Sequence, residues 1–81
     1  MHVTIRLFAW LRDAAGTPEL PLDLPGGGTG ADVRRALVAL RPELGPLLDG
    51  VRLAVNAEYQ AWEGPVRDGD ELALIPPVSG G

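Results

Sequence analysis

The chain has 81 residues, 46% of them hydrophobic, and a formal net charge of −4. That length gives one domain with a core near the lower limit of unaided stability, and the apolar content is too high for a disordered chain. Cysteine is absent and all 7 cationic side chains are arginines, which excludes disulfides, zinc–thiolate sites, thiol catalysis and any lysine-based Schiff base or isopeptide acceptor.

The acidic balance disfavours nucleic acid as a partner and favours an electropositive protein surface. No apolar run approaches the roughly 18 residues of a membrane span. The N-terminus alternates from the start and lacks the charged and apolar blocks of a secretory signal. A cytoplasmic location is expected, with no membrane partner.

Residues 2–10 alternate, with Val3, Ile5, Leu7 and Ala9 on one side and Thr4, Arg6, Phe8 and Trp10 on the other, which predicts a half-buried strand. Leu11 to Ala15 reads as a helical turn stopped by Gly16. Residues 19–24 predict a second strand with Leu20, Leu22 and Leu24 facing one way. Pro21 has no N–H to donate, so this strand belongs at an edge or carries a bulge. Pro25-Gly26-Gly27-Gly28 is a loop. Thr29 followed by Asp32 predicts a capping box with Asp in the usual Glu or Gln place. Val33, Ala36, Leu37 and Leu40 then form one helical face, and Pro42 ends the helix.

Glu43 to Gly50 is a turn-rich connection whose Leu44, Leu47 and Leu48 plug the core. Val51, Leu53 and Val55 mark a third strand, Asn56-Ala57-Glu58 a turn, and Tyr59 to Trp62 a short extended piece. Asp68-Gly69-Asp70 is a tight turn. Leu72 and Leu74 alternate with Ala73 and Ile75 in a last strand, which Pro76-Pro77 stops. The order predicts an α+β, β-grasp (ubiquitin-like) fold: a mixed sheet of about five strands, one main helix on one face, and a flexible C-terminal Gly-Gly tail. The expected division is a body at 1–77 and an extended tail at 78–81.

Few side chains suggest chemistry. His2 is the lone histidine, and no metal site is expected. Gly26-Gly27-Gly28-Thr29-Gly30 has a phosphate-loop flavour but lacks the lysine and the spacing, so a plain loop is the better reading. Ser79 has no histidine to activate it. Arg6, Arg12 and Arg67 read as solvated charges. Trp10 either packs with Phe8 on the outward side or folds over Leu11, and Trp62, after a turn, either caps the core or takes no assigned role. Phe8 and Ile75 are apolar residues on the uncovered side of the first and last strands, and they read as a partner patch.

Three stretches together carry a resemblance: Phe8-Ala9 with Leu11-Arg12-Asp13 and Gly16; Asp68-Gly69-Asp70-Glu71 leading into the last strand; and Pro76-Pro77-Val78-Ser79-Gly80-Gly81 at the end. Over the whole chain they resemble the small subunits of molybdopterin synthase, a family of ubiquitin-like sulfur carriers. Pro21 and the long glycine loop are minor departures. The resemblance implies that a ubiquitin-activating-type adenylyltransferase uses ATP to adenylate Gly81, that a sulfur donor converts the adenylate to a thiocarboxylate, and that the large synthase subunit takes the tail. It also implies that the sulfur builds the molybdopterin dithiolene from a pyranopterin precursor, in a heterotetramer of two small and two large subunits. No permanently bound cofactor is implied; the sulfur rides covalently on Gly81.

Val78, Ser79, Gly80 and Gly81 are then the segment inserted into a partner's active site, with Phe8, Ile75, Pro76 and Pro77 at the interface. Extended, the four residues reach roughly 13 Å at about 3.3 Å each. Glycines without Cβ let backbone walls close tightly around the last carbonyl, and the two prolines stiffen the base. Other expectations for the same tail are a sulfur carrier for thiamine thiazole, tRNA thiolation or cysteine, a ubiquitin-like protein modifier, or an interaction module with an inert end.

Overall fold

The computed structural model describes residues 1–26 and 28–77. Gly27 and the tail residues Val78, Ser79, Gly80 and Gly81 lie outside the described residues. The strands are β1 (His2–Leu7), β2 (Glu19–Asp23), β3 (Arg52–Val55), β4 (Glu58–Gln60) and β5 (Glu71–Ile75). Helix α1 spans Ala9–Ala15, α2 spans Gly30–Leu40, and a 3-10 helix spans Pro42–Leu48. The sheet order is β2-β1-β5-β3-β4, with β1 and β5 parallel and the other neighbours antiparallel. This is the ubiquitin-like β-grasp fold expected from the element order.

Local chemistry explains the elements. β2 is an edge strand, which is where Pro21 can sit without breaking a ladder. The β3–β4 turn uses Asn56 and Ala57, both at positive φ (49° and 71°), which matches the twist of a two-residue hairpin. Gly16 ends α1 in the left-handed conformation, its N–H donating to Arg12 O.

The N-terminus of α2 is fully satisfied. Gly30 N–H donates to Gly64 O (3.1 Å), Ala31 N–H to Trp62 O (2.7 Å), and Val33 N–H to Thr29 O (3.2 Å). Asp32 N–H donates to Thr29 Oγ1 (3.2 Å), while Thr29 N–H and hydroxyl donate to Asp32 Oδ2 (3.1 and 3.0 Å). The expected capping box is present, and the donors that usually attract an anion at a helix start are all occupied.

The core lies between the sheet and the helices. Val3, Ile5, Leu7, Leu53, Leu72 and Leu74 supply its sheet side, and Val33 and Leu37 its α2 side. Leu44 and Leu48 plug one end, as expected, and Leu47 is only partly buried. The connection carrying them is a 3-10 helix rather than irregular chain. Leu40 departs from its expected place: it is exposed at the last position of α2, where it lines an open cleft with Ala36 and with Pro21 and Leu22 of β2. The first strand is also shorter than expected. It ends at Leu7, and Phe8 is the N-cap of α1.

Candidate functional site

The register of the sheet assembles the residues around the base of the tail. β1 and β5 run parallel with Thr4 beside Glu71 and Leu7 beside Leu74. Phe8 and Ile75 are the next residue along each, so the expected pair comes together at the same sheet end. Phe8 keeps extended angles (φ −126°, ψ 156°) and is 44% exposed. It faces outward because it continues the alternation of β1, although α1 begins immediately after it. Ile75 is half-buried.

The turn into α1 is made by Ala9 at φ +51°, a left-handed conformation that costs an L-residue roughly 1–2 kcal/mol. Trp10 follows on α1 at 41% exposure. The strained residue thus sits between two exposed aromatics. Pro76 is half-buried and Pro77 exposed. A Cβ on Gly50 would lie 3.7 Å from Pro77 Cγ, so the chain passes close to Gly50 as it leaves the sheet.

The outward face beyond Ile75 contains residues that the sequence reading does not single out. Arg52 stands opposite Ile75 and Ala54 opposite Ala73 in the β3–β5 register. Tyr59 stands opposite Ala54 and is 57% exposed. The Arg52 guanidinium carbon lies 4.1 Å from the Tyr59 ring centroid, a cation–π distance. The signal was available in principle. A two-residue turn at Asn56-Ala57 pairs Ala54 with Tyr59, and Arg52 has the parity opposite to buried Leu53 and Val55.

The Asp-Gly-Asp-Glu stretch is at the other end of the sheet and does structural work there. His2 N–H donates to Asp68 Oδ1 (2.7 Å), and Gly69 N–H to His2 O (2.7 Å). Arg67 N–H and the Asn56 amide donate to Asp70 (2.8 and 2.9 Å), and these bonds hold its carboxyl below the ordinary carboxylate range. Glu71 pairs with Arg6 across 3.3 Å on the exposed face. Trp62 also finds a structural place: it packs on the core, donates from its indole to Val51 O (3.3 Å), and lies under Arg34.

Among the described residues no group of three or more His, Cys, Asp or Glu side chains could hold a metal ion, and no helix is long and apolar enough to cross a membrane. His2 is paired with exposed Asp23, far in the sheet from Phe8 and Ile75. Phe8, Ile75, Pro76 and Pro77 therefore make a surface with no side-chain nucleophile or acid–base pair among them.

Comparison with known proteins agrees with this architecture. The molybdopterin synthase sulfur carrier subunit of Arabidopsis thaliana is 40% identical over 81 residues, covering 100% of this chain and 84% of that protein. Small archaeal modifier protein 1 of Haloferax volcanii is 39% identical over 84 residues, covering 94% and 97%. The crystal structure of SAMP1 from Haloferax volcanii superposes with a TM-score of 0.89 at 35% identity, over 100% of both chains. The model of the ThiS family matches residues 5–81, and the chain belongs to that family.

Proposed function

We propose that the chain is the sulfur carrier subunit of molybdopterin synthase, with the α-carboxylate of Gly81 as the atom group that carries sulfur. The observation that supports this most is similarity over the whole chain to proteins named molybdopterin synthase sulfur carrier subunit, with the family match reaching Gly81. The composition points the same way. Without cysteine or lysine, a sulfur-handling role has no side chain to use and falls to the terminus.

The chemistry follows from the weakness of a carboxylate as an acyl donor. A carboxylate oxygen of Gly81 attacks the α-phosphate of ATP in an adenylating partner, and pyrophosphate leaves. A sulfur nucleophile at the oxidation level of hydrosulfide then attacks the acyl carbon, the acyl C–O bond breaks, and AMP leaves keeping that oxygen on its phosphate. The product is a thiocarboxylate, anionic and nucleophilic. The large synthase subunit accepts the tail and supplies the site where this sulfur reaches the pyranopterin precursor. The β-grasp body acts as a handle: Phe8 and Ile75, with Pro76 and Pro77, dock the partner while Val78 to Gly81 enter it. The chain by itself is a sulfur-donating subunit, completed as a heterotetramer with the large subunit.

A second reading is a ubiquitin-like protein modifier, favoured by the 39% identity to small archaeal modifier protein 1. Both readings need adenylation; they differ in what receives the acyl group. Intact mass spectrometry after incubation with the host's activating enzyme, ATP and a sulfur source tests the first. The expected result is a gain equal to exchanging one oxygen for one sulfur at Gly81. A chain that is adenylated, never gains sulfur and is found amide-linked to target lysines would overturn it in favour of the modifier.

A further inference from the structure

We propose that Arg52, laid over Tyr59 beside the base of the tail, is the docking point for a carboxylate side chain of the adenylating partner. The inference rests on the reading that Gly81 is activated, which the sulfur-carrier and modifier readings share; for that reason it concerns the activating enzyme rather than the synthase subunit.

Arg52 differs from most arginines of the chain. Arg6, Arg12, Arg35 and Arg41 each have a carboxylate within ion-pair reach. Arg52 has none among the described residues. Its flat face is occupied by the Tyr59 ring at 4.1 Å, and the stacking orients the guanidinium without using its in-plane N–H donors. A guanidinium held in this way loses less side-chain entropy when it grips a carboxylate in two-pronged fashion.

The surroundings suit burial under a partner. Ile75 stands directly opposite Arg52, and half-buried Ala73 lies in the next row between Arg6 and Ala54, which is itself already buried beside Tyr59. Small apolar neighbours let a partner surface approach closely. Once covered, they lower the local dielectric and strengthen the ion pair. Beside Arg52, a cleft of ≈ 440 Å³ lined by Val51, Tyr59, Gln60 and Trp62 among others opens at the β3–β4 edge, enough room for an incoming side chain. Arg52 is also one residue pair from the tail base, since its partner Ile75 runs into Pro76.

Charge adds orientation. The protein carries −4 overall, so a cationic group here is locally opposite to the net field. The other charges on this face are Arg6 paired with Glu71, and Glu19 and Asp23 on the edge strand, Asp23 beside His2. A partner carboxylate would be attracted at Arg52 and repelled by the Asp68–Glu71 end of the sheet, so it would select the docking that delivers the tail.

The test is ATP–pyrophosphate exchange by the activating enzyme of the same host, with the full chain as the varied substrate. Arg52→Gln is expected to raise KM for the chain by about tenfold, as for loss of one covered charge pair, while kcat is unchanged. Tyr59→Ala should raise KM in the same direction. The wild-type KM should rise more steeply with salt than that of Arg52→Gln. Arg35→Gln, on the opposite side of the sheet, removes the same charge and should leave KM unchanged. Thermal unfolding of each variant checks that the fold persists, which exposed positions 52 and 59 permit. Equal KM for Arg52→Gln and wild type, or an equal rise with Arg35→Gln, would overturn the docking role while leaving the activation of Gly81 intact. Absence of any exchange with wild-type chain would overturn the sulfur-carrier reading and this inference together.

Discussion

Asn56 and Asp70 are joined side chain to side chain, the Asn56 amide donating to Asp70 Oδ1 over 2.9 Å. Asn56 Oδ1 also accepts from Glu71 N–H at 3.1 Å, and Asn56 N–H donates to Glu71 O at 2.8 Å. One residue of the β3–β4 turn thus locks the start of β5. Asn also tolerates the φ of 49° at this position. Asn56→Ala should lower stability by about 1–2 kcal/mol through lost hydrogen bonds and strain, read as a lower urea midpoint with an unchanged slope.

The same joint predicts acid sensitivity. Asp70 is held below its ordinary value of 3.8, first by the Arg67 N–H and then by Asn56. Asp32 is lowered first by the Thr29 hydroxyl, with burial opposing. The folded chain therefore binds fewer protons than the unfolded chain in acid. The stability these two carboxyls give is complete above 3.8 and is lost as pH falls through their lowered values. Urea unfolding from pH 6 downward should show stability declining below about pH 4, and the double variant Asp32→Asn, Asp70→Asn should flatten that part of the profile.

Gly30 is required by close approach. A Cβ there would stand 2.5 Å from Leu53 Cδ2 and 2.7 Å from Trp62 O. The second neighbour is backbone, held by its bond from Ala31 N–H, and cannot swing aside. Gly30→Ala should cost about 1–3 kcal/mol as overpacking, visible in thermal unfolding.

Ala9 offers the opposite change. At φ +51° it is strained, and glycine occupies that region freely. Ala9→Gly should stabilise the chain by about 1 kcal/mol in denaturant unfolding. Partner affinity measured on the same variant then reports whether the strained turn aims Phe8.

Phe8 and Leu74 should separate binding from folding. Phe8 is exposed, so Phe8→Ala should change stability by only about 0.5 kcal/mol while weakening affinity for the adenylating partner or the large synthase subunit. Leu74 is buried, and Leu74→Ala should cost about 2–5 kcal/mol. Calorimetry of binding and of unfolding on both variants checks the contrast.

Much of this protein is decided by local sequence. Thr29 and Asp32 determine where α2 starts, because a cap needs only residues three apart. Pro21 marks an edge strand, because a missing N–H can be tolerated only where no neighbour needs it. The alternation of Val3, Ile5 and Leu7 shows which face is buried. The absence of cysteine and lysine removes the side chains that most often carry thiol or amine chemistry. The tertiary structure decided what depends on register and crossing. It placed Phe8 beside Ile75 by pairing β1 parallel to β5, a pairing between residues more than sixty apart. It left Leu40 exposed at the end of α2. It turned Asp-Gly-Asp-Glu from a family mark into a joint among β1, β5 and the β3–β4 turn. These contacts are set by which strands become neighbours, and short-range periodicity carries no information on that.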